Sequence, residues 1–227
     1  MPRTNYHVSI ESPPGPEALL PPYRDYYPVA LCDGTLMNLP IQPFPGGREA
    51  IALLMSNQTD FAVEQQIGAS LGKIAAEFSP EVIAGIPTLG LDYARLVARD
   101  LGFSNYVALG NSRKFWYSDE HSVPVHSVTS PGANKKLYLD PMLIERVAGK
   151  RTLIVDDVIH SGGSAAAAIR LLQKAGAVVI GLCVVLIEGA AWQAALAALS
   201  PDWPGRVRGI GRIPVFTRSE EGWIPLE

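Results

Sequence analysis

The sequence has little of what marks several large protein classes. It contains two cysteines, Cys32 and Cys183, which are too few and too far apart to predict a disulfide framework or a metal cluster. No apolar run reaches the roughly 18 to 20 residues of a membrane span. The first residues also lack the charged-then-apolar layout of a signal peptide. We therefore expect a cytoplasmic protein with no membrane partner.

Charge and motif content argue against two further classes. The formal net charge at pH 7 is −3, so the chain as a whole offers no electrostatic attraction for nucleic acid. No helix-turn-helix pattern or basic patch precedes residue 29. An apolar strand ending in Asp156 and Asp157 resembles a Walker B strand, but the pattern GxxxxGK(S/T) is absent. This absence excludes a P-loop ATPase.

The order of apolar segments predicts an α/β fold. With 227 residues, the chain is long enough for one well-buried domain of this class. Apolar runs typical of buried parallel strands occur at 82–86, 106–109, 152–155 and 178–187, with a last edge strand at 207–213. Helices are predicted at 60–78, 91–101 and 191–199, the first with Phe61, Ile67, Leu71 and Ile74 facing the sheet. This alternation predicts a doubly wound parallel sheet with right-handed crossovers.

Three segments fall outside the alternation. Residues 1–28 form a Pro-rich arm in which regular helix and central strand are excluded, and we expect it to cover the surface or a partner subunit. Residues 29–47 predict a small hairpin-like unit, followed by one or two helical turns at 48–55. Residues 113–142 predict a flexible flap with two strands, because connections of this length are usually functional or mobile. Residues 29–227 are expected to form one domain.

The run 151–164 (RTLIVDDVIHSGGS) combines a buried strand, two carboxylates and a Gly-rich turn. Gly162 and Gly163 permit a tight turn, and a helix begins near Ser164, so backbone N–H groups and a positive helix terminus can face one anion. Ser161 and Ser164 can add hydrogen bonds to a phosphate. Asp156 and Asp157 suit hydroxyl groups or a cation instead. A ligand with both features is a ribose 5-phosphate.

The same run resembles the phosphoribosyl-pyrophosphate signature of the type I phosphoribosyltransferases. That signature has four mostly apolar residues, two acids, two variable positions and a Gly-Gly turn flanked by Thr or Ser. The alternative is a strand-turn-helix of another α/β domain, in which Asp156 and Asp157 only cap the next helix. The glycines that follow both acids at the right offset favour the phosphoribosyltransferase.

The resemblance implies the roles of the site residues. Asp156 and Asp157 would orient the ribose hydroxyls and contact Mg²⁺ indirectly, and Arg113 would join them in catalysis at the leaving pyrophosphate. The remaining residues implied in substrate binding are Val158, Ile159, His160, Ser161, Gly162, Gly163 and Ser164 at the 5-phosphate, Thr88, Leu89, Gly90, Lys114 and Lys136 at the pyrophosphate, and Leu36, Asn38 and Glu188 at the base.

Three further stretches resemble xanthine-type enzymes and the related purine-operon repressor. Residues 31–43 (LCDGTLMNLPIQP) are similar to a hood that folds over a purine, and residues 129–136 (TSPGANKK) are similar to the repressor's flap. Residues 186–193 (LIEGAAWQ) match a strand end that carries Ile-Glu-Lys in the xanthine enzymes, but Gly189 stands in place of that lysine. Its absence puts xanthine itself in doubt.

The resemblance implies an enzyme that transfers the 5-phosphoribosyl group of phosphoribosyl pyrophosphate to a nitrogenous base, with a purine as the expected acceptor. It also implies Mg²⁺ as cofactor and a homodimer. Two alternatives stay open. One is a non-catalytic regulator that senses phosphoribosyl pyrophosphate, and the other is a transferase for a non-purine heterocycle in a specialised pathway.

Overall fold

The computed structural model describes residues 6–12, 20–125 and 135–226. The strands are β1 (Ser9–Glu11), β2 (Tyr26–Ala30), β3 (Leu36–Pro43), β4 (Glu49–Ala52), β5 (Val82–Gly85), β6 (Val107–Ala108), β7 (Ser122–Pro124), β8 (Lys136–Tyr138), β9 (Arg151–Ile159), β10 (Val178–Glu188), β11 (Val207–Ile213), β12 (Val215–Arg218) and β13 (Trp223–Pro225). The helices are α1 (Phe61–Glu77), α2 (Gly90–Asp100), α3 (Ile144–Val147), α4 (Gly163–Lys174) and α5 (Ala191–Ala197).

A five-stranded parallel sheet forms the centre of the molecule. Its order is β11-β10-β9-β5-β6, so the strand that carries the two aspartates lies in the middle. β9 is buried from Thr152 to Asp156, as expected for an apolar strand with covered faces. The predicted parallel sheet and its strands are thereby confirmed, including the edge strand at 207–213.

Helices cover both faces of this sheet. Along β9, Leu153 and Val155 join a core cluster with α1 and α2, whereas Ile154 joins a second cluster with α4 and α5. This division follows from the alternation of side chains along a strand. The sheet is therefore doubly wound, and its core is continuous on each face. In the described part of the chain, no helix is long and apolar enough to cross a membrane.

A second, antiparallel sheet stands where the hood was predicted. β3 pairs with β1 and β2 in its first half and with β4 in its second, and β12 and β13 extend the sheet beyond β4. The predicted helical turns at 48–55 are wrong, because residues 49–52 pair with β3 and β12 as a strand. Packing between strands outweighs the helix propensity of the Ala- and Leu-rich segment here.

The N-terminal region also takes part in the antiparallel sheet. The predicted boundary at residue 28 falls inside β2, and Val8 is 2% exposed. Part of the arm, residues 1–5 and 13–19, lies outside the described residues. In α1, Ile67 and Leu71 are buried as predicted and Ile74 is partly buried, but Phe61 is 81% exposed at the first turn. The prediction for Phe61 is therefore wrong.

The flap contains the predicted pair of strands. β7 and β8 pair antiparallel, with Val123 opposite Leu137, and both side chains pack against the core cluster that includes α4. Gly110 and Tyr138 exchange two backbone hydrogen bonds of 2.8 and 2.9 Å, which join the base of the flap to the end of β6. The stretch 126–134, which includes most of the repressor-like segment, lies outside the described residues.

Candidate active site

A cleft of about 370 Å³ lies at the carboxyl end of β9. Ligands of doubly wound sheets bind at this end of the strands. One wall consists of residues 156–165, and the opposite wall consists of Phe44 and residues 51–54 from the antiparallel sheet. Leu89, Glu188 and Ile213 complete the lining. The cleft therefore lies between the central sheet and the hood.

Asp156 and Asp157 stand together at the end of β9. The Asp156 side chain is 8% exposed, and the backbone N–H of Asp157 donates to its Oδ1 atom at 3.0 Å. Burial raises the pKa of Asp156 well above its usual range, and the neighbouring Asp157 charge raises it further. Burial also raises the pKa of Asp157, although hydrogen bonds from Asp156 and the Val158 backbone oppose the shift. Such a pair is stabilised by a ligand that offers hydroxyl donors or a cation.

The turn after β9 leads directly into α4. Gly162 has a φ of 78° and precedes the first residue of the helix, a backbone conformation that side chains other than glycine rarely adopt. A Cβ atom at this position would also lie 3.0 Å from the carbonyl oxygen of Trp192. The turn therefore packs against α5 and leaves the N-terminal N–H groups of α4 at the cleft. These groups and the Ser161 and Ser164 hydroxyls suit a phosphate.

The loop between β5 and α2 approaches the same aspartate. A Cβ atom on Gly90 would lie 2.8 Å from the Cα atom of Asp156 and would clash with its Oδ1 atom, so glycine permits this close packing. The Ser56 hydroxyl is 3.0 Å from the Leu89 carbonyl oxygen, to which it donates, and 2.7 Å from Asp92. The peptide bond between Pro87 and Thr88 is cis. Thr88 is exposed, whereas Leu89 lines the cleft.

The predicted flap cations lie away from the cleft walls. Arg113 is 3.5 Å from one carboxylate oxygen of Asp119, and Lys136 is 3.7 Å from the other. All three side chains are at least 41% exposed, so these ion pairs are weak. Lys114 is exposed at the start of the same segment. The structure thus brings Arg113 and Lys136 to the carboxylate of Asp119. A more highly charged anion can displace this carboxylate and bind both cations.

The side chains of His160 and Glu188 form a close contact that the sequence does not reveal. The Nδ1 atom of His160 lies 2.7 Å from Oε2 of Glu188, whose side chain is 6% exposed. The hydrogen bond to Glu188 raises the pKa of His160, although burial opposes the shift. β9 and β10 are parallel neighbours with Ile159 opposite Ile187. The next residue on each strand is a member of this pair.

The hood meets the cleft through different residues from those predicted. Leu36 is buried in the antiparallel sheet, and the Asn38 amide donates to the Ser9 hydroxyl at 3.3 Å. Of the predicted hood residues, Phe44 lines the cleft and Leu36 and Asn38 do not, and residues 51–54, at the end of β4 and just after it, complete this wall. The sequence predicts helical turns at 48–55, and a helix there gives no reason to place residues 51–54 at the cleft. Trp192 is 3% exposed and belongs to the core.

The donor atoms at the cleft fit Mg²⁺ when substrate supplies the other ligands. Mg²⁺ is usually held by one or two carboxylates together with substrate phosphates and water, and Asp156 and Asp157 offer carboxylates that lack a cationic partner among their described neighbours. Among the described residues, no cluster of three or more His, Cys, Asp or Glu side chains could hold a metal ion without substrate.

Comparison with known proteins gives concordant results. The model of the phosphoribosyl transferase domain matches residues 59–203. The chain is 29% identical to the adenine phosphoribosyltransferase of Thermobifida fusca over 166 residues, which cover 70% of this chain and 85% of the relative. It is 37% identical to the hypoxanthine/guanine phosphoribosyltransferase of Methanococcus voltae over 94 residues, or 41% of this chain and 47% of the relative.

The fold has a solved counterpart. The crystal structure of the APRTase of Giardia lamblia in complex with 9-deazaadenine superimposes with a TM-score of 0.53 and 19% identity, covering 71% of this chain and 93% of the other. At this level of identity, the likeness establishes a shared fold.

Proposed function

Because this chain belongs to the phosphoribosyltransferase family, whose domain covers residues 59–203, we propose that it transfers the 5-phosphoribosyl group of phosphoribosyl pyrophosphate to a purine base. Pyrophosphate is the second product. The observation that carries this proposal is the convergence of Asp156, Asp157 and the 160–164 turn in one cleft at the end of the central strand. A carboxylate pair for hydroxyls and an N–H cradle for phosphate match the two ends of ribose 5-phosphate.

In this proposal, the donor is held along the wall formed by residues 156–164. Asp156 and Asp157 accept hydrogen bonds from the ribose hydroxyls, and their negative charge favours the cation-like sugar of the transition state. Backbone N–H groups of Ser161, Gly162, Gly163 and Ser164 hold the 5-phosphate, with Val158, Ile159 and His160 shaping the wall. Positioning and electrostatics thus supply the protein's share of catalysis.

The loop 87–90 and the flap bind the pyrophosphate end of the donor. Thr88, Leu89 and Gly90 offer backbone N–H groups beside Asp156, and the flap offers Arg113, Lys114 and Lys136. Arg113 can exchange Asp119 for a pyrophosphate oxygen, because the leaving group carries several negative charges and binds a guanidinium more strongly. Mg²⁺, when bound, neutralises charge on the departing pyrophosphate. Closure of the flap excludes water from the donor.

The purine class of the acceptor rests on the relatives, which are named for adenine and for hypoxanthine and guanine. The apolar hood wall formed by Phe44, Ile51 and Leu53 suits the face of a planar heterocycle. Leu36 and Asn38 serve this wall indirectly, as parts of β3, which pairs with the strand that carries Ile51. Glu188 supplies the polar group at the inner end of the cleft.

The test is pyrophosphate release from phosphoribosyl pyrophosphate with Mg²⁺, measured with a panel of purines, pyrimidines and small heterocycles. We expect release with a purine, and a loss of at least 100-fold for the double variant D156N/D157N, because both ribose-binding charges are removed. Glu145→Gln, an exposed carboxylate on α3, is the matched control and should keep wild-type activity.

The outcomes separate the candidate functions. Release with a pyrimidine or another heterocycle alone would contradict the purine assignment and retain the transferase. Calorimetric binding of the donor with no release from any acceptor would instead support a sensing regulator. The homodimer, the cytoplasmic location and the division at residue 28 remain predictions, and light scattering of the purified chain would test the first of them.

A further inference from the structure

The loop that connects β5 to α2 is supported from its buried side by Ser56. The Ser56 hydroxyl lies 3.0 Å from the carbonyl oxygen of Leu89 and 2.7 Å from Oδ2 of Asp92. Both oxygens are acceptors, so the single hydroxyl hydrogen is shared between them in a three-centre bond. Ser56 is 2% exposed. Water therefore does not compete for this hydrogen, and the contact holds the loop firmly.

The first turn of α2 has no capping side chain of its own. Leu89 directly precedes the helix, and its apolar side chain makes no capping hydrogen bond. The first N–H groups of a helix also lack partners within the helix. Ser56 contacts the carbonyl oxygen of Leu89 and not an N–H group. The contact thus orients the first turn and leaves its backbone donors for a ligand.

The hydrogen bond to Leu89 also fixes the direction of the next N–H group. The Leu89 carbonyl and the Gly90 N–H belong to one planar trans peptide, in which the two groups point in opposite directions. Because the carbonyl is held on the side of Ser56, the Gly90 N–H points to the opposite side of the loop. Leu89 lines the cleft, and Gly90 packs against Asp156. One buried hydroxyl thus orients a backbone donor beside the aspartate pair.

Tyr6, in the N-terminal segment, holds the turn that carries Ser56. Its phenolic oxygen accepts a hydrogen bond of 2.7 Å from the N–H of Met55 and lies 3.3 Å from the Thr59 hydroxyl. That hydroxyl donates to the Met55 carbonyl oxygen at 2.8 Å. Burial raises the pKa of Tyr6, the hydrogen bonds with Thr59 and Met55 oppose the shift, and the charge of Asp157 adds to it. Tyr6 therefore lies within electrostatic range of the aspartate pair.

We propose that Ser56 is a positioning residue for the loop 87–90 and that Tyr6 acts through it. Ser56 holds the Leu89 carbonyl before the donor arrives, so the Gly90 N–H already has the orientation that binds pyrophosphate. This proposal rests on the proposed function, which assigns the loop to that part of the donor. Tyr6 and Ser56 precede residue 59, where the match to the family domain begins. The support of the loop thus comes from outside the matched segment.

The proposal predicts a selective effect on ligand binding. A loop that is already held in its binding conformation loses less conformational entropy when the ligand binds. Removing the Ser56 hydroxyl should therefore weaken donor binding without removing any group that touches the donor. The saturated complex stays the same, so kcat should change little while KM rises. Ribose 5-phosphate has no pyrophosphate, and its binding should not depend on Ser56.

Calorimetry with these two ligands tests the prediction. Ser56→Ala should raise Kd for phosphoribosyl pyrophosphate with Mg²⁺ about tenfold, and Kd for ribose 5-phosphate less than about twofold. KM for the donor should rise in parallel with Kd, and kcat should stay within about threefold of wild type. A role in folding alone would weaken the binding of both ligands equally.

Ser70→Ala is the matched control. Ser70 is also buried, and its hydroxyl also donates to a carboxylate, that of Asp33, at 3.3 Å. Neither residue lines the cleft. The variant S70A should therefore bind both ligands with wild-type affinity. An equal loss of donor affinity in S56A and S70A would contradict the proposal.

Two further variants test the roles of the neighbours. Asp92→Asn leaves a weaker acceptor, so the Ser56 hydrogen shifts towards Leu89 and donor Kd should stay within about threefold of wild type. A larger loss in D92N than in S56A would overturn the proposal. Tyr6→Phe should weaken donor binding about fivefold. In the S56A background, Y6F should change Kd less than about twofold, and additive losses would contradict action through Ser56.

The result that overturns the proposal directly is an unchanged donor Kd in S56A, and the transferase would then still stand. If S56A does not fold, as judged by circular dichroism, Ser56→Cys keeps the size of the side chain with a weaker donor. It should show the same selective loss. If the wild-type protein neither binds phosphoribosyl pyrophosphate nor releases pyrophosphate with any acceptor, the proposed function fails and this assignment fails with it.

Discussion

The buried aspartate pair suits a bound ligand but lowers the stability of the free protein. Asp156 is 8% exposed next to Asp157, and burial and the neighbouring charge raise its pKa. A carboxyl group with a raised pKa favours folding below its unfolded pKa of about 3.9, and this contribution is lost as pH rises through the folded pKa. Near neutral pH, an ionised pair therefore destabilises the free protein. Such strain is common where a site is prepared for a ligand.

We predict that Asp156→Asn stabilises the free protein while impairing catalysis. Asparagine keeps an oxygen that can accept from the Asp157 N–H but removes one of the two charges. The free energy of unfolding at pH 7 should rise by about 1 kcal/mol, and the gain should shrink as pH falls towards 4. Urea unfolding at several pH values measures this difference. A loss of stability at pH 7 would instead support a structural capping role for Asp156.

At the scale of elements, the site depends on how closely the β5–α2 loop approaches β9. Gly90 is the first residue of α2, where alanine would ordinarily improve helix formation. A Cβ atom added at Gly90 would, however, clash with Oδ1 of Asp156. It would also lie 2.8 Å from the Cα atom of Asp156. The clash involves backbone as well as the carboxylate, so the loop or the aspartate must move.

Gly90→Ala should therefore cost about 1 to 3 kcal/mol of stability and reduce donor affinity at least tenfold. Gly205→Ala is the matched control, because a Cβ atom there meets nothing within 4 Å and its φ is not positive. Calorimetry with phosphoribosyl pyrophosphate and thermal unfolding give both quantities. Equal behaviour of the two variants would show that the loop does not constrain the site.

The flap provides a second element-scale prediction. Asp119 pairs with Arg113 and Lys136 at 3.5 and 3.7 Å, and exposed pairs of this kind contribute little. If Arg113 meets pyrophosphate during turnover, Arg113→Gln should raise KM for the donor about tenfold, whereas Asp119→Asn should change it less than about twofold. Steady-state kinetics at low and high salt would measure both. A larger effect of Asp119→Asn would mean that the ion pairs themselves organise the flap.

The elements also show why part of the fold and the site followed from sequence and part did not. β9 and its turn were predictable because an apolar strand, two acids and two glycines are contiguous. The strand β4 was not, because Ala50 and Ala52 favour helix locally and become a strand only through pairing with β3 and with β12, far along the chain. The contact of His160 with Glu188 likewise depends on the register of two separate strands.

At the scale of the whole molecule, the hood and the parallel sheet share one core. Met37 and Phe216 of the antiparallel sheet belong to the same buried cluster as Leu153, Val155 and Cys183 of the central strands. An early and a late segment of the chain meet at this sheet, where Tyr23 and Trp223 are joined by backbone hydrogen bonds. Because contacts cross between the layers throughout this cluster, the hood cannot unfold alone without exposing the sheet that carries Asp156 and Asp157.

We therefore predict that Phe216→Ala destabilises the whole protein in one cooperative transition. Phe216 is 0% exposed and packs edge-on against Tyr27 with ring centroids 5.1 Å apart. Its truncation should lower the free energy of unfolding by about 3 to 5 kcal/mol. Phe61→Ala removes a ring that is 81% exposed and should change stability by less than about 0.5 kcal/mol. Urea unfolding followed by both tryptophan fluorescence and circular dichroism decides the matter, since two separate transitions in F216A would show that the hood is an independent unit.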